Sequence, residues 1–260
     1  MTTPASADDR HRLVDWLGAA LPSLALLGAL FAVWEAYVHL SSISPVTLPA
    51  PSRIAEGAWR NRDLLLNNAV VTVYEALAGL ALSVAVGVAL ALVVDASGAA
   101  RRALYPILVG SQTLPIVIIA PLLILWFGFE LTPKILVVAL YTFFPITVAF
   151  ASGLAATDRE ALILMHTLGA SRVQSLLLLR LPFALPYLFT GLRIAVTYAI
   201  VGAVFAEWSG AREGLGIFVL LMKNSFRTDL VFAAIFLIAL LSLLLFAVVG
   251  AIERIVVRWR

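Results

Sequence analysis

Residues 76–94 of the chain read ALAGLALSVAVGVALALVV, a run of 19 residues without a charged side chain. A helix needs about 20 apolar residues to cross roughly 30 Å of hydrocarbon, so this run is typical of a membrane span. Four further runs carry no charge and a fifth is interrupted only by Arg193; they are 16–34, 103–129, 135–157, 230–252 and 181–206. The sequence therefore predicts an all-α polytopic membrane protein with about six transmembrane helices.

The composition supports the same class. The 260-residue chain is 62% hydrophobic and 13% charged, whereas an ordinary soluble domain has roughly a quarter charged residues. Helices buried inside a large soluble protein are disfavoured, because six such runs leave too little polar sequence to cover them. The chain has no cysteine, which excludes disulfides, thiolate metal sites and thiol chemistry. We expect no cofactor and no metal site.

Cationic residues at the ends of the runs predict the orientation. With the N-terminus in the cytoplasm, ten arginines fall inside, and seven cationic residues, including Lys134 and Lys223, fall outside. This excess follows the positive-inside rule. The charged first fifteen residues and the length of the first run argue against a cleaved signal peptide. We expect both termini in the cytoplasm. The basic residues indicate the orientation in the membrane and do not indicate a nucleic-acid partner.

The predicted organisation is a cytoplasmic tail, 1–15, followed by a single transmembrane domain, 16–257. We expect a helix lying flat at the outer interface within the loop 41–64, with Trp59 at the headgroup level. A partly re-entrant helix is expected at the outer face within 210–229. The predicted spans are 16–40, 66–95, 103–128, 133–156, 182–209 and 230–255, and a cytoplasmic elbow at 157–181 joins the fourth to the fifth.

The first arm of the elbow has clear start and stop signals. Thr157 and Glu160 have the spacing of a capping box, which satisfies free amides at a helix start, so a helix should begin near Asp158. It can run to Leu168. Gly169 is the residue type most easily placed in the left-handed conformation that ends a helix.

The second arm begins with another capping box, formed by Ser171 and Gln174. This helix should end ahead of Pro182, because proline cannot donate a backbone hydrogen bond. Local chemistry leaves two interpretations, a surface connector or a docking element. The length of about 25 residues favours the docking element, since a hairpin loop needs fewer.

Gly169, Leu181 and Pro182 fit the conserved cytoplasmic loop of type I ATP-binding-cassette importer permeases, which the elbow resembles. That pattern is roughly Glu-Ala-Ala, three residues, Gly, and a later Leu-Pro. LGASRVQSLLLLRLPFALPYLFTGLRIA (168–195) is similar to the nitrate, taurine and aliphatic-sulfonate branch. The resemblance continues in SQTLPIVIIAPLLILWFGF (111–129) and AEWSGAREGLG (206–216).

The chain departs from the family pattern at one place. Ile163 stands where the family's glutamate belongs, followed by Leu164 and Met165 in place of two alanines, and Glu160 lies one helical turn earlier. LMHTLGAS, TYAIVGAVFAEWSGA and FRTDLVFAAIFLI resemble instead the sub-branch linked to thiamine's pyrimidine precursor or riboflavin. The resemblance therefore implies a vitamin or precursor as the solute. The alternative is taurine, an aliphatic sulfonate, nitrate or another small anion.

The resemblance also implies a set of partners. They are a cytoplasmic ATP-binding subunit, an extracytoplasmic solute-binding protein and a second permease copy forming a homodimer, all at the bacterial cytoplasmic (inner) membrane. The binding protein would deliver its solute at the outer loops, including 210–229. The elbow would be the coupling helix that docks into the ATPase. The residues expected at that contact are His166, Thr167, Leu168, Gly169, Ala170, Ser171 and Arg172.

The chain has no nucleotide-binding motif of its own. A phosphate-binding loop needs Gly-x-x-x-x-Gly-Lys-Ser/Thr, and neither of the two lysines, Lys134 and Lys223, fits that pattern. No Ser/His/Asp set or metal-ligand cluster appears in the sequence. We therefore expect no enzymatic activity, and we expect ATP hydrolysis in a partner subunit.

Polar and aromatic residues inside the spans are candidates for a translocation pathway, because charges in a bilayer usually face a cavity or a partner. Structural pairing is the favoured interpretation for Glu75 and Glu207, and packing against helices or lipid is favoured for the aromatic residues. Glu35 is most simply a surface residue. Ser111, Gln112 and Thr113 precede Pro115, which suggests a polar break in the third span. The pathway candidates are Glu75, Ser111, Gln112, Thr113, Tyr198, Glu207 and Trp208.

Two rival classes remain at this stage. A standalone ion-coupled carrier would use Glu75 and Glu207 as proton sites, and a purely structural membrane anchor would transport nothing. Ion coupling predicts uptake driven by a proton gradient with no partner present. An importer subunit should be inert alone and should co-purify with an ATPase.

Overall fold

The computed structural model describes residues 7–41 and 43–258, with the backbone alone for residues 7–20. The ordered elements in this part of the chain are helices. They are α1 (Ala7–Leu40), α2 (Pro51–Arg60), α3 (Arg62–Ala96), α4 (Gly98–Ser111), α5 (Ile116–Phe127), α6 (Leu131–Ala155), α7 (Arg159–Thr167), α8 (Arg172–Ser175), a π-helical turn (Leu176–Arg180), α9 (Leu181–Trp208), α10 (Leu215–Asn224) and α11 (Thr228–Val256).

Five of these helical segments are long and apolar enough to cross a membrane: Leu21–Leu40, Arg62–Ala96, Leu131–Ala155, Arg172–Trp208 and Thr228–Val256. A sixth span is possible only if α4 and α5 are counted together, since their axes bend by 97°. The predicted all-α fold is confirmed. The first six residues of the predicted N-terminal tail lie outside the described residues, and its remainder already belongs to α1.

The predicted third span, 103–128, is not a single helix. α4 ends at Ser111, whose hydroxyl donates to the Leu108 carbonyl at 2.7 Å, and the Thr113 hydroxyl donates to the Gly110 carbonyl at 2.8 Å. Pro115 follows in an extended conformation and has no N–H to continue the helix. The polar break that the sequence predicts therefore becomes a sharp bend.

The core is built around α6, which packs between α3 and α9. Small residues allow close approach: a side chain at Gly87 would lie 3.0 Å from Ile146, and one at Gly191 would lie 2.6 Å from the Pro145 carbonyl. Ser83 on α3 donates to the Ala139 carbonyl of α6 at 3.0 Å. These three helices form the closely packed centre of the domain.

The remaining helices pack around this centre. Trp34 of α1 contacts Phe232 of α11, with ring centroids 5.6 Å apart. Arg193 of α9 pairs with Glu253 of α11 at 2.7 Å. These contacts tie the first and last spans to the body of the protein.

The helix expected in the loop 41–64 is present as α2. Glu35, predicted as a surface residue, holds its first turn: the Ser52 amide and hydroxyl donate to the Glu35 carboxylate at 3.0 and 2.6 Å. Ile54 is buried, whereas Trp59 is 71% exposed. The helix is therefore amphipathic, as predicted; its position at the interface and that of Trp59 at headgroup level stay predictions.

Candidate functional site

The elbow begins as predicted but with a different cap. Asp158 is the N-cap of α7, and its carboxylate accepts the amides of Glu160 and Ala161 at 3.1 and 3.4 Å. Thr157, expected to form a capping box, instead donates to the Leu154 carbonyl at 3.0 Å. The predicted Thr157–Glu160 box is therefore wrong. The carboxylate one residue later reaches the same free amides and accepts two of them.

The turn between the two arms matches the prediction. Gly169 has a φ of +81°, the left-handed conformation that favours glycine. The Ala170 amide donates back across the turn to the Met165 carbonyl at 2.9 Å. Ser171 and Gln174 then form the predicted capping box, with hydrogen bonds of 2.8 and 3.2 Å.

The second arm does not end ahead of Pro182, so that prediction is wrong. α8 passes into the π-helical turn and then directly into α9, so 172–208 form one helical segment. In the widened turn the Leu181 amide donates a hydrogen bond to the Leu176 carbonyl. This turn makes room for the ring of Pro182 in the first turn of α9. The elbow's second arm is therefore the physical start of the fifth span.

The tip of the elbow is open to a partner. Six of the seven predicted contact residues are exposed and Ala170 is half-buried. Leu168 is 74% exposed and Val173 is 64% exposed, an unusual amount of apolar surface for a polar turn. A cavity of about 760 Å³ lies beside them and is lined in part by His166, Ala170 and Arg172.

One arginine links this cavity to the spans. Arg180, in the π-helical turn, pairs with Asp95 at the end of α3 at 2.7 Å and also donates to the Leu154 carbonyl of α6 at 2.9 Å. Sequence reasoning missed this bridge, because the partners lie 85 and 26 residues away from Arg180. Arg180 thereby connects the elbow to α3 and α6, in addition to α9, with which the elbow is continuous.

A second cavity lies beside the break between α4 and α5. It measures about 570 Å³ and is lined by Gln112, Tyr141, Phe144, Pro145, Val148, Ala149, Ile194 and Tyr198. The rings of Tyr141 and Tyr198 lie 5.2 Å apart at an angle of 57°. The structure thus brings Gln112 and Tyr198, two of the seven pathway candidates, to one cavity.

The other five candidates lie elsewhere. Ser111 and Thr113 turn back onto carbonyls of their own helix. The Trp208 indole donates to the Gly216 carbonyl at 3.0 Å. Glu75 and Glu207 are fully buried between helices.

The two acids have specific partners, which corresponds to the structural-pairing interpretation. Lys134, expected outside the membrane, is 8% exposed and its ammonium lies 3.0 Å from the Glu75 carboxylate. Glu207 accepts a hydrogen bond from Thr72 at 2.6 Å and another from the Gly216 amide. A lysine at the start of an apolar run, next to Pro133, is the only sequence signal that would have indicated the first pairing.

Comparisons with known proteins are consistent with this geometry. Residues 83–258 match the family described as binding-protein-dependent transport system inner membrane component. The formylaminopyrimidine transport permease protein ThiX of Halalkalibacterium halodurans is 40% identical over 92% of this chain and 95% of its own length. The riboflavin transport system permease protein RibX of Chloroflexus aurantiacus is 36% identical over 94% and 91%. More distant relatives are named as aliphatic-sulfonate and taurine permeases.

A solved structure shares the fold. The methionine transporter MetNI, in an inward-facing form, superposes with a TM-score of 0.62 at 18% identity, over 77% of this chain and 98% of its own. The family match covers more than half of the chain, and the two permeases align over nearly its whole length. The chain therefore belongs to the binding-protein-dependent inner membrane components, the permease subunits of ATP-binding-cassette importers.

Proposed function

We propose that this permease carries a flat nitrogen heteroaromatic solute, a thiamine pyrimidine precursor or riboflavin, across the bacterial inner membrane. The observation that carries the proposal is the cavity beside the helix break. Two tyrosines and Phe144 line it together with the amide of Gln112. Aromatic side chains can stack on a planar ring, and an amide supplies both a donor and an acceptor to ring nitrogens and carbonyls.

The alternative solute class is a small anion such as taurine or an aliphatic sulfonate. None of the eight residues lining this cavity carries a charge. A sulfonate that leaves water needs a cation or several donors to replace its hydration. The lining therefore favours an uncharged planar solute, in agreement with the solutes named for the two more similar relatives.

The permease is one subunit of a larger machine. Permeases of this family work with a separate ATP-binding subunit and a substrate-binding protein, typically as a dimer, and do not hydrolyse ATP themselves. Because the chain belongs to this family, both rival hypotheses, the ion-coupled carrier and the membrane anchor, are rejected. We take the dimer of this chain to be a homodimer.

The elbow is proposed as the contact with the ATP-binding subunit. Its exposed tip, 166–172, ends one short helix and starts another, so a push on the tip displaces α7 and α8 as rigid bodies. α8 is continuous with α9, and Arg180 connects the same segment to α3 and α6. ATP-driven closure of the ATPase pair would thus move the helices that line the cavity.

Uptake by the reconstituted importer tests the solute and the cavity together. We expect proteoliposomes with ATP inside to accumulate radiolabelled formylaminopyrimidine or riboflavin when the binding protein is present outside. Tyr198→Ala should lower uptake by about tenfold, the effect of losing about 1.4 kcal/mol of stacking and packing.

Tyr74→Ala is the matched control, because Tyr74 is 59% exposed on α3 and does not line the cavity. Its uptake should equal that of the unaltered protein. Accumulation of taurine but of neither heteroaromatic solute would contradict the proposed solute class. Equal uptake by the two tyrosine variants would contradict the proposed cavity.

A further inference from the structure

α10 begins without a capping residue of its own. Its N-cap position is Gly214, with a φ of +126° and no side chain to accept a hydrogen bond. The first amides of a helix have no partner within the helix, so they must find acceptors elsewhere. In this protein the acceptors come from two of the long spans.

Three consecutive amides at this helix start donate to three side chains. The Gly214 amide donates to Asn68 at 2.9 Å, the Leu215 amide to the Thr72 hydroxyl at 2.8 Å, and the Gly216 amide to the Glu207 carboxylate. Asn68 and Thr72 belong to α3 and Glu207 to α9. We call these three side chains, with the amides of 214–216, the tertiary cap.

The tertiary cap is closely packed. Thr72 and Glu207 are fully buried. A side chain on Gly216 would lie 2.6 Å from the Val204 carbonyl, and one on Gly214 would overlap the Glu207 carboxylate. The two glycines are therefore required because the helix start approaches α9 so closely.

Two acids and two sources of positive charge meet beside the tertiary cap. The carboxyl group of Glu207 lies at the N-terminus of α10, which carries the positive end of the helix dipole. The neighbouring carboxylate of Glu75 has its own partner, the ammonium of Lys134. Glu75 and Glu207 are neighbours, and the Lys134 ammonium and the N-terminus of α10 are the sources of positive charge next to this pair of acids.

α10 connects elements that are otherwise far apart in sequence. Leu215 and Phe218 are buried in one cluster with Ile54, Leu65, Ala69, Leu230, Ala233 and Ala234, residues of α2, α3 and α11. At the other end of α10, Leu221 is 51% exposed and Phe226, just beyond the helix, is 73% exposed. The helix is therefore fixed at its start and presents apolar side chains at its end.

We propose that Glu207 is a positioning residue for transport: it fixes the start of α10 to α3 and α9, and so holds the exposed end of α10 in the orientation that the substrate-binding protein engages. The second half of this statement rests on the proposed function. Rigid attachment matters because a docking surface that must first be ordered loses affinity for its partner.

The carboxylate is required for a specific reason. One of its oxygens accepts from Thr72 and the other from Gly216. Glutamine has a single acceptor oxygen and a donor amino group. With that oxygen on the Gly216 amide, the amino group faces the Thr72 hydroxyl, whose proton must then turn to the Asn68 carbonyl 3.2 Å away. Glu207→Gln therefore breaks the hydrogen bond that Thr72 donates to residue 207. Aspartate keeps both acceptors but is one methylene shorter, so Glu207→Asp should be intermediate.

Two measurements on the assembled importer in nanodiscs test the proposal. Hydrogen exchange should be faster by about tenfold or more in 209–224 of Glu207→Gln, because a buried hydrogen bond of the tertiary cap is lost. The binding protein, loaded with formylaminopyrimidine, is then titrated onto the importer while its ATPase rate is measured. In Glu207→Gln the binding-protein concentration that gives half-maximal stimulation should rise about tenfold. The maximal ATPase rate should be unchanged.

Glu213→Gln is the matched control for exchange, since Glu213 is exposed in the same loop and its substitution should leave protection of 209–224 unaltered. Thr72→Val removes the hydroxyl shared by Leu215 and Glu207, and should act in the same direction if Glu207→Gln does not assemble. Unaltered exchange in Glu207→Gln, or in Thr72→Val where only that variant assembles, would overturn the proposal.

A lower maximal ATPase rate at an unchanged half-maximal concentration would also overturn it, because positioning of the docking surface would then not be at issue. The exchange measurement needs no binding protein. It therefore tests whether Glu207 fixes the start of α10 even if the titration fails because the proposed function is wrong.

Discussion

At the scale of single residues, the buried pair of Glu75 and Lys134 shows how this membrane domain tolerates charge. The two groups lie 3.0 Å apart with the side chains 0% and 10% exposed. Removing both partners of a buried pair often costs little, whereas removing one leaves an unpaired buried charge. The pair is therefore a sensitive point for stability and lies outside the proposed solute cavity.

Lys134→Met should destabilise the protein by about 3–5 kcal/mol, because the Glu75 carboxylate loses its counter-charge. The double variant Glu75→Gln/Lys134→Met should recover most of that loss. Thermal unfolding of the purified permease in detergent, followed by tryptophan fluorescence, measures both. The only other lysine, Lys223, is exposed, so Lys223→Met is the control. Equal stability of the two single lysine variants would contradict this assignment.

At the scale of elements, the elbow and the fifth span form one mechanical unit. The turn at Gly169 separates α7 from a helical segment that runs unbroken from Arg172 to Trp208. Among the described residues, apart from the two chain neighbours, no heavy atom lies within 4 Å of a Cβ atom added at Gly169. If the elbow has the proposed coupling role, a substitution there meets the partner subunit before it meets the permease itself.

Gly169→Asp should therefore insert and fold but lose coupling, with uptake lowered by about tenfold or more, equivalent to about 1.4 kcal/mol of docking free energy. Aspartate tolerates the left-handed conformation better than most residues, so the effect should not arise from misfolding. The measurement is ATP-dependent uptake together with co-purification of the ATPase.

Gly98→Asp provides the comparison, because Gly98 starts α4 and also has open space around it. It should leave uptake unaltered. Normal uptake and normal ATPase assembly in Gly169→Asp would disprove the coupling role of the elbow.

At the scale of the whole molecule, the orientation of the domain in the membrane is a prediction that labelling can test. The chain contains no cysteine, so each introduced cysteine is the only one present. With both termini inside, Glu213→Cys should react with a membrane-impermeant maleimide added to spheroplasts. Arg172→Cys should react only after the membrane is permeabilised. The reverse pattern would mean that the positive-inside assignment is inverted.

Much of the architecture is predictable because it depends on short-range chemistry. The apolar runs locate the long helices, since any backbone that crosses hydrocarbon must satisfy its own hydrogen bonds. The turn at Gly169 and the cap at Ser171 follow from residues three or four positions apart. The break at 111–115 follows from a proline and its polar neighbours.

Local rules also fail at identifiable places. Thr157 was predicted to cap α7, but Asp158 supplies two acceptor oxygens and takes over the cap. Pro182 was predicted to end the second arm, but the π-helical turn before it accommodates the ring. In both cases the backbone had a second way to satisfy the same hydrogen-bonding groups.

The fold class, the elbow with its turn and the lack of a nucleotide-binding motif can be inferred from the amino-acid sequence, because each depends on neighbouring residues. The pairing of the buried groups depends on how the helices pack in three dimensions. Glu207 meets Thr72 across 135 positions of sequence, and Glu75 meets a lysine predicted to lie outside. The packing of α3 against α6 and α9 sets which of these groups become neighbours. A buried acid is stable only beside an opposite charge or a dipole on the neighbouring helix.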